Sequence, residues 1–172
     1  ALTDFRIHPD GFSRHVIMDH GTTPWQAGRL IQRVLEIDTY RMMALLALPV
    51  ARASGPLLAR AGQELAGISA ELVNAADADE PELLERLTRL EAEIEYRQSE
   101  TRFRFSAADA YYDLVRRRIE ELREQRIPGL QTFQEFMERR LAPAIATCRS
   151  VAERQESLSV HIARATRLLS TR

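Results

Sequence analysis

Five residues beside an unusually apolar stretch are the first to invite a chemical reading: Arg33, Glu36, Asp38, Tyr40 and Arg41. They precede Met42-Met43-Ala44-Leu45-Leu46-Ala47-Leu48, which is apolar all round and should be enclosed by other helices or by a partner chain. Charges carried into such surroundings must pair, because stripping an ion of water is costly unless a counter-charge replaces it. The spacing offers partners: Arg33 with Glu36 and Asp38 with Arg41 stand three apart, as neighbours on a helix surface. These five residues would form either a polar network bracing a bundle or a site for a ligand or ion.

A second group lies at the N-terminus, where His8, His15 and His20 accompany Asp10 and Asp19. Imidazole and carboxylate are metal-ligand types, but the spacing matches no standard zinc pattern. No metal is therefore expected; His8, His15, His20 and Asp19 are the residues that would hold one. Cys148 is a possible nucleophile, yet it falls on an apolar seam with no histidine placed near it, which points to a buried structural thiol. Arg116-Arg117-Arg118 and Arg139-Arg140 could meet phosphate. Glu120, Glu121, Glu124, Glu135 and Glu138 are interleaved with them and cancel the field, so no nucleic acid is expected. A glycine-rich phosphate loop, a nucleophile elbow, an HExxH motif and paired cysteines are all missing, and none of the 7 glycines cluster. That counts against the common enzyme classes, and no cofactor is called for.

Elements to position these residues follow from periodicity. Residues 4–8 alternate apolar and polar as a half-buried strand does, Pro9-Asp10-Gly11 is turn chemistry, and residues 12–19 read as a second strand. Two strands alone are marginal, so this hairpin over 1–22 is expected to edge a sheet lying before residue 1. Thr23 with Gln26 makes a capping box and Pro24 takes the first helical position, opening a helix to about Leu48 that Pro49 should kink or stop. Ser54-Gly55-Pro56 is expected to break the chain before a shorter helix to about Val73, and Asn74 to Glu80 to form an acidic loop.

The remainder, 81–126 and 132–172, reads as two long helices folded back on each other. Apolar residues recur about every 3.5 positions from Ile94 to Leu122, and again from Phe133 to Leu169, which is the period of a coiled-coil seam. Arg126-Ile127-Pro128-Gly129 is the turn, Thr132 with Glu135 caps the return helix, and Pro143 should bend it. An antiparallel register with facing numbers summing to about 255 puts Tyr112 by Ala144, Ala108 by Cys148 and Thr101 by Gln155, large against small as close packing asks. Partners would then find the tail from Leu158 to Leu169 uncovered.

Composition agrees with this mainly α architecture. The chain of 172 residues is 45% hydrophobic and 28% charged, with 6% aromatics, a balance suited to long helices with wet outer faces. A net charge of −1 gives no global attraction to polyanions, and the single cysteine rules out an internal disulfide. Every basic residue is arginine. The chain opens without Met and stops while the seam still runs, so a longer protein is expected.

The stretch from Gly28 to Arg52, together with Arg104-Phe105-Ser106-Ala107, Ala110-Tyr111-Tyr112, the run Phe136 to Leu141, Pro143-Ala144 and Thr147-Cys148, resembles a bacterial family of uncharacterised membrane-anchored proteins, a domain of unknown function. The resemblance implies an α/β N-terminal part, then these helices, then two membrane spans beyond the present chain. It implies location and architecture but no reaction. The layout is also similar to that of the magnesium and cobalt channel superfamily. Arg154, Arg164, Arg167 and Arg172 would make a juxtamembrane basic segment if a span follows, placing the domain on the cytoplasmic face of the inner membrane.

The expectation is thus a bundle over 23–172 with an N-terminal β-hairpin, acting as the helical stalk or scaffold of a membrane-anchored protein. Its partners would be a second copy or another protein met through helices, and the membrane through segments absent from this chain. The alternative is the soluble domain of a divalent-cation channel or transporter. An enzyme comes third and would need a pocket with titratable groups around Arg33, Glu36 and Asp38.

Overall fold

A computed structural model of the chain describes residues 1–74 and 80–170. The acidic loop expected from Asn74 to Glu80 falls mostly on residues 75–79, outside the described residues. Two short strands, β1 (Leu2–Thr3) and β2 (His15–Val16), precede α1 (Pro24–Leu45), α2 (Leu48–Asn74), α3 (Glu80–Leu122), α4 (Phe133–Arg140) and α5 (Ala142–Ser170). The architecture is mainly α, with α3 and α4–α5 forming a long antiparallel helical hairpin. The 43 residues of α3 extend about 65 Å at 1.5 Å rise per residue.

The antiparallel strands pair Leu2 with Val16 and Thr3 with His15, a much shorter ladder than the alternation of residues 4–8 and 12–19 suggests. Local side chains take the backbone donors instead. Thr3 Oγ1 accepts from the Phe5 N–H, Asp4 from Arg6 and Asp10 from Phe12. Such bonds compete with strand pairing. The Pro9-Asp10-Gly11 turn forms as expected, with Gly11 at φ 84°. Phe5, at φ 51°, leaves the strand and turns its ring inward.

Thr23 caps α1 through the expected capping box with Gln26. The helix then ends at Leu45, not Leu48. A proline ring collides with the carbonyl four residues back and has no N–H to give it. Pro49 therefore ends the hydrogen-bond ladder at Leu45 and becomes the second residue of α2, where donors are orphaned anyway. The same device recurs at Pro143. It is the second residue of α5, so the return helix is divided at Leu141 rather than merely bent. By contrast, Ser54-Gly55-Pro56 does not break the chain; α2 runs through Pro56. Leu58, Ala61 and Ile68 are wholly buried beyond it, and their packing outweighs the cost of about 3 kcal/mol for an interior proline.

At the hairpin tip α3 stops at Leu122, and Arg123 turns the chain in a left-handed conformation, φ 51°. Glu124 then reaches the start of α4, its two carboxylate oxygens accepting from the Phe133 and Gln134 N–H groups at 2.7 and 3.1 Å. Thr132 and Glu135 add the expected capping box. The tip is thus held by an anion at a helix N-terminus, where both the free N–H groups and the helix dipole favour it.

Two apolar clusters fill the interior. One joins Val34, Ile37 and Ala44 of α1 with Phe5, Phe105, Ala108, Val115, Met137, Ile145 and Cys148. The other joins Leu58, Leu65 and Ile68 of α2 with Leu87 and Ile94 of α3 and Leu158, Ile162 and Leu169 of α5. The α5 tail is therefore covered by α2, which corrects the expectation that it lies open to partners. Between the clusters Thr101 and Gln155 face each other, Thr101 Oγ1 donating to Gln155 Oε1 at 3.2 Å, in the expected register. The Met42–Leu48 stretch is not enclosed. Ala44 and Ala47 are buried, but Met42, Met43 and Leu46 are exposed.

Candidate functional site

The five polar residues of α1 separate into three environments, because side chains 100° apart around one helix face different neighbours. Asp38 and Arg41 turn toward the N-terminal segment and are nearly covered, with side chains 13% and 9% exposed. Arg41 Nη2 and Nε donate to Asp38 Oδ1 at 2.6 and 3.2 Å, and Nη2 also approaches the Phe5 carbonyl at 3.3 Å. The guanidinium lies 5.2 Å from the Phe5 ring centroid, a cation–π distance. The other Asp38 oxygen accepts from Ser13 Oγ at 2.7 Å and faces His15 Nε2 at 3.4 Å. Burial pushes the Asp38 carboxyl up, but the hydrogen bonds from Arg41 and Ser13 and the neighbouring positive charge prevail and hold it below the usual value. The expected Asp38–Arg41 pair is present, and it latches the N-terminal segment onto α1.

Ser13, His15 and Asp38 are the residue types of a nucleophilic triad, but their hydrogen bonds run in another order. In a triad the histidine accepts the serine proton through one nitrogen and is oriented by the carboxylate through the other. Here Ser13 donates directly to Asp38, both partners crowd the same His15 nitrogen, and His15 Nδ1 is buried with no hydrogen-bond partner among the described residues. The hydrogen bonds of the cluster fasten the N-terminal segment to α1.

Arg33 and Glu36 do not pair directly with each other. They face α3 and interlock with it. Arg33 Nε donates to Glu121 at 3.0 Å, Arg118 bridges Glu121 and Glu36, and Gln32 Nε2 donates to Glu36 at 2.8 Å. The Gln32 and Arg118 bonds hold the Glu36 carboxyl below its usual range, and the Glu36 carboxylate raises the Arg118 guanidinium further. Tyr40 stacks on Tyr111, with ring centroids 5.8 Å apart and planes 18° from parallel. These contacts form the bracing network that spacing allowed, with α3 supplying partners no local pattern could name.

The histidines go to separate places. His8 sits 3.3 Å from Asp4, His15 joins Asp38, and His20 is exposed, while Asp19 accepts from Gly21 and Thr22. Among the described residues no three histidine, cysteine or carboxylate side chains gather to hold a metal ion. Cys148 is buried on the seam, and burial, aided by the Asp109 charge, pushes its thiol up. Alternation gives Phe5 and Ser13 only places in strands, whereas both lie in irregular backbone, so periodicity does not name their partners. Nor does it announce the cleft beside them. It has a volume of about 720 Å³ and lies between the first six residues and the hairpin tip, with Arg41 in its wall.

A family model described as a protein of unknown function, DUF3422, matches residues 1–172. The chain belongs to the DUF3422 family. No curated protein and no solved structure matches it. In this DUF3422 chain the polar residues near the apolar stretch are thus largely spent on one another. The cleft and the open face of α1 remain accessible beside them.

Proposed function

We propose that this chain is the helical stalk or scaffold region of a membrane-anchored bacterial protein, held on the cytoplasmic face of the inner membrane and assembling through its helices. The observation that carries the reading is an apolar stripe left uncovered on α1 and its C-cap residue, Leu46. Ile31, Leu35, Met42 and Leu46 are 45%, 52%, 36% and 55% exposed. At 100° per residue their positions fall within an arc of about 60°. Such a stripe on a rigid helix is a face made for another helix. By length and composition part of the Pro24–Val73 segment is apolar enough to cross a membrane, and 22% of that part is buried within the protein. The length of α3 and the charge pairs locking α1 to it suit a strut. The membrane and cytoplasmic parts of the proposal draw on the family resemblance and on the arginines near the end of α5.

A second copy of the chain is the partner to test first. Sedimentation equilibrium should show self-association that Leu35→Asp with Leu46→Asp abolishes, with the helical circular dichroism unchanged. A chain that stays monomeric up to its solubility limit would remove the assembly reading. Full-length protein that fractionates with the soluble contents of the cell would remove the anchored one.

A further inference from the structure

The cleft beside the Asp38–Arg41 latch is lined by unlike surfaces. Its floor is aromatic. The Phe5 ring stacks on Phe136, with centroids 4.7 Å apart, and meets Phe133 edge-on at 5.0 Å. Its walls carry the guanidinium groups of Arg6, Arg41 and Arg140. Arg41 spends Nε and Nη2 on Asp38 and the Phe5 carbonyl. Its Nη1 has no hydrogen-bond partner among the described residues, and neither does the Arg140 guanidinium, whereas the Arg6 charge acts on the Asp4 carboxylate without a side-chain hydrogen bond.

The carboxylates lining the same space are already engaged. Glu124 accepts from two backbone N–H groups of α4. Asp4 accepts from the Arg6 N–H and faces His8. The cleft therefore offers the Arg140 fork and the Nη1 edge of Arg41 as donors with no hydrogen-bonded acceptor among the described residues, beside an aromatic surface. Arginine forks match a carboxylate with two parallel hydrogen bonds. The 720 Å³ volume lies within the roughly 300–1,000 Å³ of small-molecule sites. A bare phosphate would meet the same forks but leave the aromatic surface uncovered, and Glu124 already takes the α4 N–H groups that would add to its hold.

We infer that this cleft binds a small organic carboxylate with an apolar body, its headgroup on Arg140, Arg6 and the free edge of Arg41 and its body on Phe133 and Phe136. Nothing in the stalk reading requires such a site. A ligand there would touch β1, α1 and the hairpin tip together, so binding should also tighten the N-terminal segment.

The test is calorimetric titration of the whole chain with octanoate, and with octanamide as its uncharged counterpart. Octanoate is expected to bind saturably at one per chain and octanamide about tenfold more weakly, since only the former meets the guanidinium forks. Arg140→Glu with Arg6→Glu, both at exposed positions, should lower octanoate affinity at least about tenfold by reversing the charge. Arg140→Gln should lower it by a smaller factor. Circular dichroism and thermal melting confirm that each variant is folded. Absence of saturable binding, equal binding of the amide, or affinity unchanged in the folded variants would each overturn the assignment.

Discussion

Replacing Gln155 by leucine should make this protein more stable, although it removes a buried hydrogen bond. Gln155 is 1% exposed and Thr101 4%. The Gln155 Nε2 group has no hydrogen-bond partner among the described residues. Its Oε1 is served by a hydroxyl that also points to the Arg97 carbonyl at 2.9 Å, and one hydroxyl proton cannot fully serve both. Rotating the amide only exchanges the orphan, leaving Oε1 unpaired in place of Nε2. A buried unsatisfied polar group costs about 1–3 kcal/mol, against about 1 kcal/mol for the hydrogen bond lost. Leucine has similar volume and joins Val151 and Leu158 between the two apolar clusters, adding favourable burial. The net gain is about 1–2 kcal/mol, or about 3–6 °C in Tm for a chain of this size. Thermal melting and urea unfolding of Gln155→Leu measure it. Thr101 keeps its bond to the Arg97 carbonyl, so Thr101→Val added to Gln155→Leu should gain little more. A loss of stability in Gln155→Leu would refute the reasoning and show that the amide is better satisfied than its surroundings indicate.

Asp38→Asn leaves Arg41 with no counter-charge and should destabilise by about 2–3 kcal/mol, below the value for a fully enclosed pair because one edge of Arg41 opens to the cleft. The Asp38 carboxyl is held below its usual value in the folded state. Its contribution is therefore present above the unfolded value of about 3.9 and is lost as pH falls below it; the acid limb of the stability–pH curve should flatten in Asp38→Asn. Glu124→Ala removes the acceptor for two N–H groups at the start of α4 and should cost about 0.5–2 kcal/mol. Hydrogen exchange would show it as faster exchange at Phe133 and Gln134. Cys148, 2% exposed and with its thiol pushed up by burial, should resist alkylation in native buffer and react once denaturant unfolds the chain.

How far the fold could be read ahead depended on whether the deciding interaction was local. The seam was legible because apolar spacing persists over dozens of residues, and its register could be set from the turn; Thr101 against Gln155 follows from it. Both capping boxes were legible as four-residue patterns. The helix breaks were not. Pro49, Pro56 and Pro143 look alike in sequence, yet two head new helices and one sits within a continuous helix, and all three have buried residues on either side, so neither the proline nor its apolar neighbours announce which way the chain goes. The strands were over-read, since alternation cannot show that Thr3, Asp4 and Asp10 will take the backbone donors. At the polar cluster, Asp38 with Arg41 could be paired from spacing. Arg33 and Glu36 could not be placed, because their partners Glu121 and Arg118 lie more than eighty residues away. The cleft depends on Phe5 entering from irregular backbone and meeting Phe133 and Phe136, a convergence with no periodic trace.

The break at Leu46–Ala47 has a mechanical consequence. Before it, α1 lies chiefly along α3; after it, α2 lies chiefly along α5. One continuous segment thus changes rails near the middle of the hairpin, as a diagonal member does in a truss. The two rails already pack along their shared seam, through both apolar clusters and the Thr101–Gln155 contact. A diagonal fixed to one rail by Arg33, Glu36 and Ile37 and to the other by Leu58 and Ile68 further opposes their sliding past each other. Thrust applied at the tip of α3 is then delivered to the far end of α5 as well, so the pair bends and translates as one beam.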